Sequence, residues 1–257
     1  MPYALITGAS GGIGFCMAEE LAQRKIDVIL IARSQDKLSL ACEELKKKYG
    51  IRAEYLSLDL SKQDAVPTLL DWLKEKSFEV NILINNAGYG IWGTVESTPW
   101  NALSNMMQLN MNVVAQLCSG LIPELKKHSQ SYIMNVASTA SYQAVPTLAT
   151  YAASKAFVVL FTRGLRLELL GTAISVTCLS PGATSTNFID RAGMESMKEK
   201  AEKFSMKPNE VAHIAINGMF KKKAEILPGF TNWISVQLTY LIPKGIPEKI
   251  AASLYKQ

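Results

Sequence analysis

The chain has 257 residues, 48% hydrophobic and 19% charged, enough for one sizeable core, and open α/β sheets of this length are commonly one domain. Its 27 basic and 22 acidic residues leave a formal charge of +5, and lysine runs occur only at Lys46 to Lys48 and Lys221 to Lys223, at the polar ends of helical patterns. A nucleic-acid footprint has little support. Four scattered cysteines without a C-x-x-C pair, and histidines His128 and His213 without ligand-like neighbours, suggest free thiols in a reducing compartment and argue against a metal site. With no charged leader before the first apolar run, the cytoplasm is the expected location.

That first run, "YALIT", leads straight into "TGASGGIG" and then an amphipathic segment from Gly12 to Arg24. Gly8, Gly12 and Gly14 would allow a tight turn, close approach of backbone to a pyrophosphate, and anion binding at the free N–H groups of the helix start. The same glycines suit a plain strand-to-helix turn, and their spacing, G-x-x-x-G-x-G, departs from the G-x-G-x-x-G fingerprint. The second run, "DVILIA", ends at "RSQDKL", where a site selective for NAD usually offers an acid. Arg33, followed by Ser34 and with Lys37 one turn later, suits a 2'-phosphate instead, which favours NADP(H) over NAD(H). A helical pattern from Gln35 to Tyr49 follows, then "AEYLSL", closed by Asp59. That carboxylate either receives an adenine amino group or caps the next turn.

The runs "NILINN", "SYIMNVAS" and "ISVTCLS" continue the series of strands buried on both faces, separated by helical patterns over Asp64 to Lys76, Pro99 to Lys127 and Thr147 to Leu170. Repeated β-then-α order implies a mainly parallel sheet wrapped by helices. The pattern loosens after Pro181 into a candidate substrate loop at about 187–207, and a C-terminal extension runs over about 228–257. Within it, "ILPGFTNWISVQLTYLIP" is interrupted by Pro228, Gly229, Asn232 and Gln237 and falls short of the ~20 apolar residues of a span. It is expected to pack on the domain or line a pocket, with peripheral membrane contact as the lesser option and insertion unsupported.

Tyr151 and Lys155 stand one helical turn apart in "YAASK" and share a face, as a catalytic pair or an ordinary aromatic edge with a snorkelling lysine would. "NNAG" at Asn85 to Gly88, "NVAS" ending at Ser138, "YAASK" and "PGATST", in order after "TGASGGIG", resemble the short-chain dehydrogenase/reductase family from the first residues to about Thr186. The resemblance implies an α/β, Rossmann-type, doubly wound, mainly parallel seven-stranded sheet with helices on both faces; beyond it, "AEILPG" is expected to supply the last strand, and the length of the chain is read as a single domain over 1–257. The resemblance further implies a nicotinamide cofactor and an Asn-Ser-Tyr-Lys catalytic set, which maps onto Asn110, Ser138, Tyr151 and Lys155. It also implies that the cofactor meets Gly8, Ser10, Gly12, Ile13 and Gly14 at the first turn, and Asp59 and Leu60 after the third strand. Asn86, Ala87 and Gly88 follow the fourth strand, Tyr151 and Lys155 meet the ribose end, and Pro181, Gly182, Thr184 and Thr186 lie at the nicotinamide end.

The chemistry suits these residue types. An alkoxide left by hydride transfer needs a proton, and a tyrosine near pKa ~10 is a reluctant donor unless a nearby ammonium favours its phenolate. Ser138 would hydrogen-bond the substrate oxygen as charge develops, and Asn110, by resemblance, would hold a water that relays protons from Lys155. The substrate pocket is expected from Tyr89 to Trp92, Thr139 to Val145, the loop to Met206, and Trp233, surfaces that favour a hydrophobic carbonyl or alcohol such as an acyl chain, a steroid-like or an aromatic ketone. A homodimer through the Pro99 to Lys127 and Thr147 to Leu170 helices is expected unless the C-terminal segment covers them; the family's tetramer-supporting ending is missing. Two other functions fit the fold: a nucleotide-binding regulator or scaffold, and a sugar-nucleotide epimerase or dehydratase, which generally carries a larger substrate domain.

Overall fold

The structure, a computed structural model, describes residues 2–186, 192–193 and 205–254. Seven strands, β1 (Tyr3–Thr7), β2 (Asp27–Ala32), β3 (Ala53–Ser57), β4 (Val80–Asn85), β5 (Ser131–Val136), β6 (Ile174–Leu179) and β7 (Glu225–Ile226), form one sheet in the order β3-β2-β1-β4-β5-β6-β7. Every pairing is parallel; Leu5, for instance, lies opposite Ile29 on one side and Leu83 on the other. The order reverses between β1 and β4, and in such sheets ligands bind in the crevice that opens beyond the carboxyl ends of these strands.

Alternation along β1 shows why both faces carry helices. Ala4 and Ile6 pack into a layer with α1 (Gly12–Gln23), α2 (Gln35–Tyr49) and α7 (Pro208–Phe220), through Met17, Leu45 and Ile216 among others. Tyr3 and Leu5 point the other way, onto α3 (Ala65–Glu75), α5 (Val113–Leu125) and α6 (Ala149–Glu168), through Leu69, Leu117 and Leu165. Strands covered on both sides need apolar residues at nearly every position, which is why they read as continuous runs.

Three elements differ from the sequence pattern. The expected helix from Pro99 to Lys127 is α4 (Trp100–Met107), a π-helical turn over Gln108–Asn112, and then α5. A π turn inserts one extra residue per turn without disturbing apolar spacing enough to show in a sequence. The helix expected from Thr147 begins at Ala149, because Pro146 and Thr147 form a turn instead. "AEILPG" yields only the two residues of β7. Beyond it the C-terminal extension forms α8 (Phe230–Leu241) and α9 (Gly245–Leu254). Among the described residues no helix is long and apolar enough to cross a membrane. Most of the expected substrate loop, 187–191 and 194–204, lies outside the described residues.

Candidate active site

At the carboxyl ends of the strands, astride the β1/β4 reversal, opens a cleft of about 1220 Å³. Its first wall is the glycine turn. Gly8 and Gly12 take φ of +67° and +57°, the left-handed region that suits glycine. A Cβ at Gly14 would sit 2.5 Å from the Gly8 carbonyl oxygen and from Asn86 Nδ2, so the helix can only approach the strand this closely without one. Asn86 fastens the turn by donating through Nδ2 to the carbonyls of Thr7 at 2.9 Å and Gly8 at 3.2 Å. The start of α1 has no side-chain cap and no acid in its first turn, and a Cβ at Gly11 would meet nothing within 4 Å. Open space in front of uncapped amides at a positive helix end is the chemistry a diphosphate requires, so these residues fit a dinucleotide.

The cleft runs from this turn past Ser10, Ile13, Arg33, Ser34 and Lys37 at one end, with Asp59 and Leu60 beside them. Asp59 accepts from the Ser61 amide at 3.1 Å and its hydroxyl at 2.7 Å, so it does cap the following turn while still lining the cleft. Burial works against its charge, but the Ser61 hydrogen bonds and the nearby Arg33 and Lys62 charges leave the carboxyl below its usual range. At the other end stand Asn86, Ala87, Gly88, Ser138, Tyr151 and Lys155, with Pro181, Gly182, Thr184 and Thr186 opposite. Thr186 comes so near the glycine turn that a Cβ at Gly12 would lie 3.3 Å from its Cγ2.

Tyr151 and Lys155 both project from α6 into the cleft, and both are buried. Lys155 Nζ donates to the Val136 carbonyl at the end of β5, at 2.9 Å. Burial pushes its ammonium down to about 8, with Cys178 opposing weakly. Gly88 makes room for this group: a Cβ there would lie 3.0 Å from both Lys155 Nζ and Asn110 Oδ1. Ser138 Oγ accepts the Ala140 amide at 3.1 Å and so caps a 3₁₀ turn over Thr139–Tyr142, and a hydroxyl that accepts keeps its own O–H to donate.

Of the catalytic and cofactor-binding candidates, Asn110 alone does not line the cleft. It is fully buried in the π-helical turn. Its Nδ2 donates to the Tyr89 carbonyl at 2.9 Å and Ser154 Oγ at 3.0 Å, and its Oδ1 accepts the Tyr89 amide at 3.2 Å. Ser154 in turn donates to the Tyr151 carbonyl at 2.7 Å, so Asn110 ties the loop after β4 to α6. π turns gather at functional sites because they re-aim one side chain inward, here that of Asn110.

The C-terminal extension lines the cleft through residues the sequence did not single out. Asn232, Val236 and Thr239 of α8 lie on its wall with Ser235, whereas Trp233, expected there, is 48% exposed. Spacing i, i+4, i+7 puts Asn232, Val236 and Thr239 on one helical face and turns Trp233 away. Asn232 presses on the loop after β6: a Cβ at Gly182 would fall 2.5 Å from its side chain. The helix is moored by Arg163 of α6, which donates to Tyr240 Oη at 3.3 Å and to both Glu225 oxygens at 3.1 Å. Glu225 also receives the Tyr142 hydroxyl, and Tyr142 meets Ser180 at 2.9 Å.

Residues 2–196 match the family model described as short chain dehydrogenase. A very-long-chain 3-oxoacyl-CoA reductase-B of Danio rerio is 32% identical over 188 residues, covering 72% of this chain and 60% of the relative. A short-chain dehydrogenase of Sphingobium yanoikuyae, solved in complex with NADPH, is 28% identical with a TM-score of 0.84, covering 94% of each chain. A short chain dehydrogenase/reductase of Burkholderia phymatum in complex with NAD reaches the same TM-score at 23% identity over 92% of each chain, a likeness of fold. With three quarters of its length matched by that model and the site built at the fold's switch point, the chain belongs to the short chain dehydrogenase family.

Proposed function

We propose that the protein is an NADP(H)-dependent oxidoreductase that interconverts a hydrophobic ketone and its alcohol. The observation that carries this reading is a buried lysine held one helical turn from a buried tyrosine on the wall of a cleft whose far end is a glycine turn. A nicotinamide group bound there supplies or accepts the hydride. Gly8, Gly12 and Gly14 with the start of α1 would hold its diphosphate. Arg33 and Lys37 would hold a 2'-phosphate, a preference supported by the NADPH complex of the Sphingobium relative.

The Tyr151 hydroxyl gives its proton to the oxygen that becomes the alcohol, and takes it back in the reverse direction. Lys155, its charge aimed by the Val136 carbonyl, stabilises negative charge on the Tyr151 oxygen. Ser138 donates to the substrate oxygen as it gains charge. Asn110 holds the loop after β4 against α6, and its Oδ1, which has acceptor capacity left, borders with Lys155 Nζ the space beside Gly88, where a relay water would bind. Val145 and Leu148 offer an apolar wall, and an acyl-type ketone is favoured by that wall and by the acyl-CoA substrate in the name of the Danio relative.

The test is a panel of acyl, steroid and aromatic ketones followed by NADPH absorbance, with Tyr151→Phe as control. Turnover by the wild type and none by the variant, at unchanged cofactor affinity, is expected. An active Tyr151→Phe variant would refute the proton role, and a wild type silent across the panel would favour the regulator reading. A homodimer through α4–α5 and α6 is supported by Leu160 and Leu167, 74% and 67% exposed on α6 and left uncovered by α8; a monomer in sedimentation rules it out.

A further inference from the structure

Just before α6 the chain turns at Val145 to Leu148, closed by the Leu148 amide donating to the Val145 carbonyl at 3.2 Å. Pro146 and Thr147 are the central residues, and Thr147 has φ +61°. Positive φ after a proline is the turn position reserved for glycine or asparagine, and a β-branched residue is strained there.

The contacts of Thr147 give that strain a reason. Its Oγ1 accepts the indole N–H of Trp92 at 2.6 Å and donates to the Pro146 carbonyl at 2.6 Å, while its own carbonyl accepts the Gly93 amide at 2.8 Å. The Trp92 amide in turn donates to the Ala192 carbonyl at 2.9 Å. One residue pair thus joins the loop after β4, the turn that launches α6, and the segment at Ala192. Trp92, Leu148, Tyr151 and Ala192 belong to one apolar cluster, and Tyr151 follows Thr147 by four residues, in the first turn of α6.

We propose that Trp92 and Thr147 form a positioning latch. It fixes the start of α6, and with it the Tyr151 hydroxyl, against the substrate side of the cleft, and the strained backbone persists because the Thr147 hydroxyl receives the indole. The latch rests on the reading of Tyr151 as proton donor; Trp92 and Thr147 act through Tyr151 and are assigned no contact with reacting atoms.

Full-length Thr147→Gly, Thr147→Ser, Trp92→Phe and the Trp92→Phe/Thr147→Gly double variant test this. Glycine fits the turn, so Thr147→Gly is expected to melt no lower than wild type yet to lose about tenfold in kcat, with NADPH affinity unchanged. Thr147→Ser restores kcat, Trp92→Phe matches the glycine variant, and the double variant is no worse than either, because both remove one interaction. Hydrogen exchange over 148–156 reads the latch without substrate and should quicken several-fold in Thr147→Gly but not in Thr147→Ser. Wild-type kcat and exchange in Thr147→Gly overturn the latch, as does joint loss of melting temperature, cofactor affinity and kcat, which marks a plain folding defect. If the wild type reduces no carbonyl, the reductase reading fails while exchange still decides: quickening supports the latch and unchanged exchange overturns it.

Discussion

Replacing Lys155 by methionine should stabilise the protein while abolishing turnover. Lys155 is 4% exposed, and the fall of its ammonium from the ordinary 10.5 to about 8 represents, at ~1.4 kcal/mol for each pH unit, about 3 kcal/mol spent on keeping a buried charge at neutral pH. Methionine removes that cost but also the 2.9 Å bond to the Val136 carbonyl, a net contribution of about 1 kcal/mol, so the variant should gain about 2 kcal/mol at pH 7. Between pH 8 and 10.5 the unfolded wild-type chain binds a proton that the folded one has released, so wild-type stability gains with rising pH and the gap should close toward zero by pH 10. Burial pushes the Cys42 thiol up to about 11 and those of Cys118 and Cys178 to about 12, which lowers stability over part of the same window; this is common to both proteins for Cys42 and Cys118, whereas Cys178 also feels the Lys155 charge, the least of its influences, and loses it in the variant. Urea denaturation of the pair at pH 7 and pH 10 measures the difference directly. A variant less stable than wild type at pH 7, or a gap that stays constant between the two pH values, would show that the lysine is not held as an unfavourable buried cation.

Two further outcomes follow from the cofactor end. Arg33→Ala should weaken NADPH binding by about 10- to 100-fold, the scale of a lost charge-assisted contact, and leave NADH binding nearly unchanged; equal losses for both in fluorescence titration would dismiss a 2'-phosphate contact. Gly14→Ala places a Cβ 2.5 Å from the Gly8 carbonyl oxygen, a backbone group that cannot swing aside, so a loss of about 2–3 kcal/mol is expected. An unchanged melting temperature would mean the turn has slack that its contacts do not suggest.

The strands were legible because both-face burial writes itself as unbroken apolar runs: "YALIT" and "DVILIA" coincide with β1 and β2 residue for residue. The glycine turn, Ser138, Tyr151 and Lys155 were legible because they fall at strand ends or one helical turn apart, spacings fixed by backbone geometry. The π turn around Asn110 was not, since one inserted residue leaves the apolar stripe nearly intact. Nor was the direction of α8. Its outward residues Phe230, Trp233 and Leu241 are larger and more apolar than Asn232 and Thr239, which line the cleft, so a reading that sends bulk inward picks the wrong face. Thr147 gave no warning either, because positive φ belongs to the fold around a residue and this one is β-branched.

The brevity of β7 has a consequence away from chemistry. A sheet must end somewhere, and each border strand exposes amides and carbonyls to which a neighbouring molecule can add its own strand. At this border only Glu225 and Ile226 hold strand geometry, and Glu225 carries a charge already engaged by Arg163. Two residues give a foreign strand too short a template for stable pairing, so growth of the sheet from molecule to molecule is discouraged on that side.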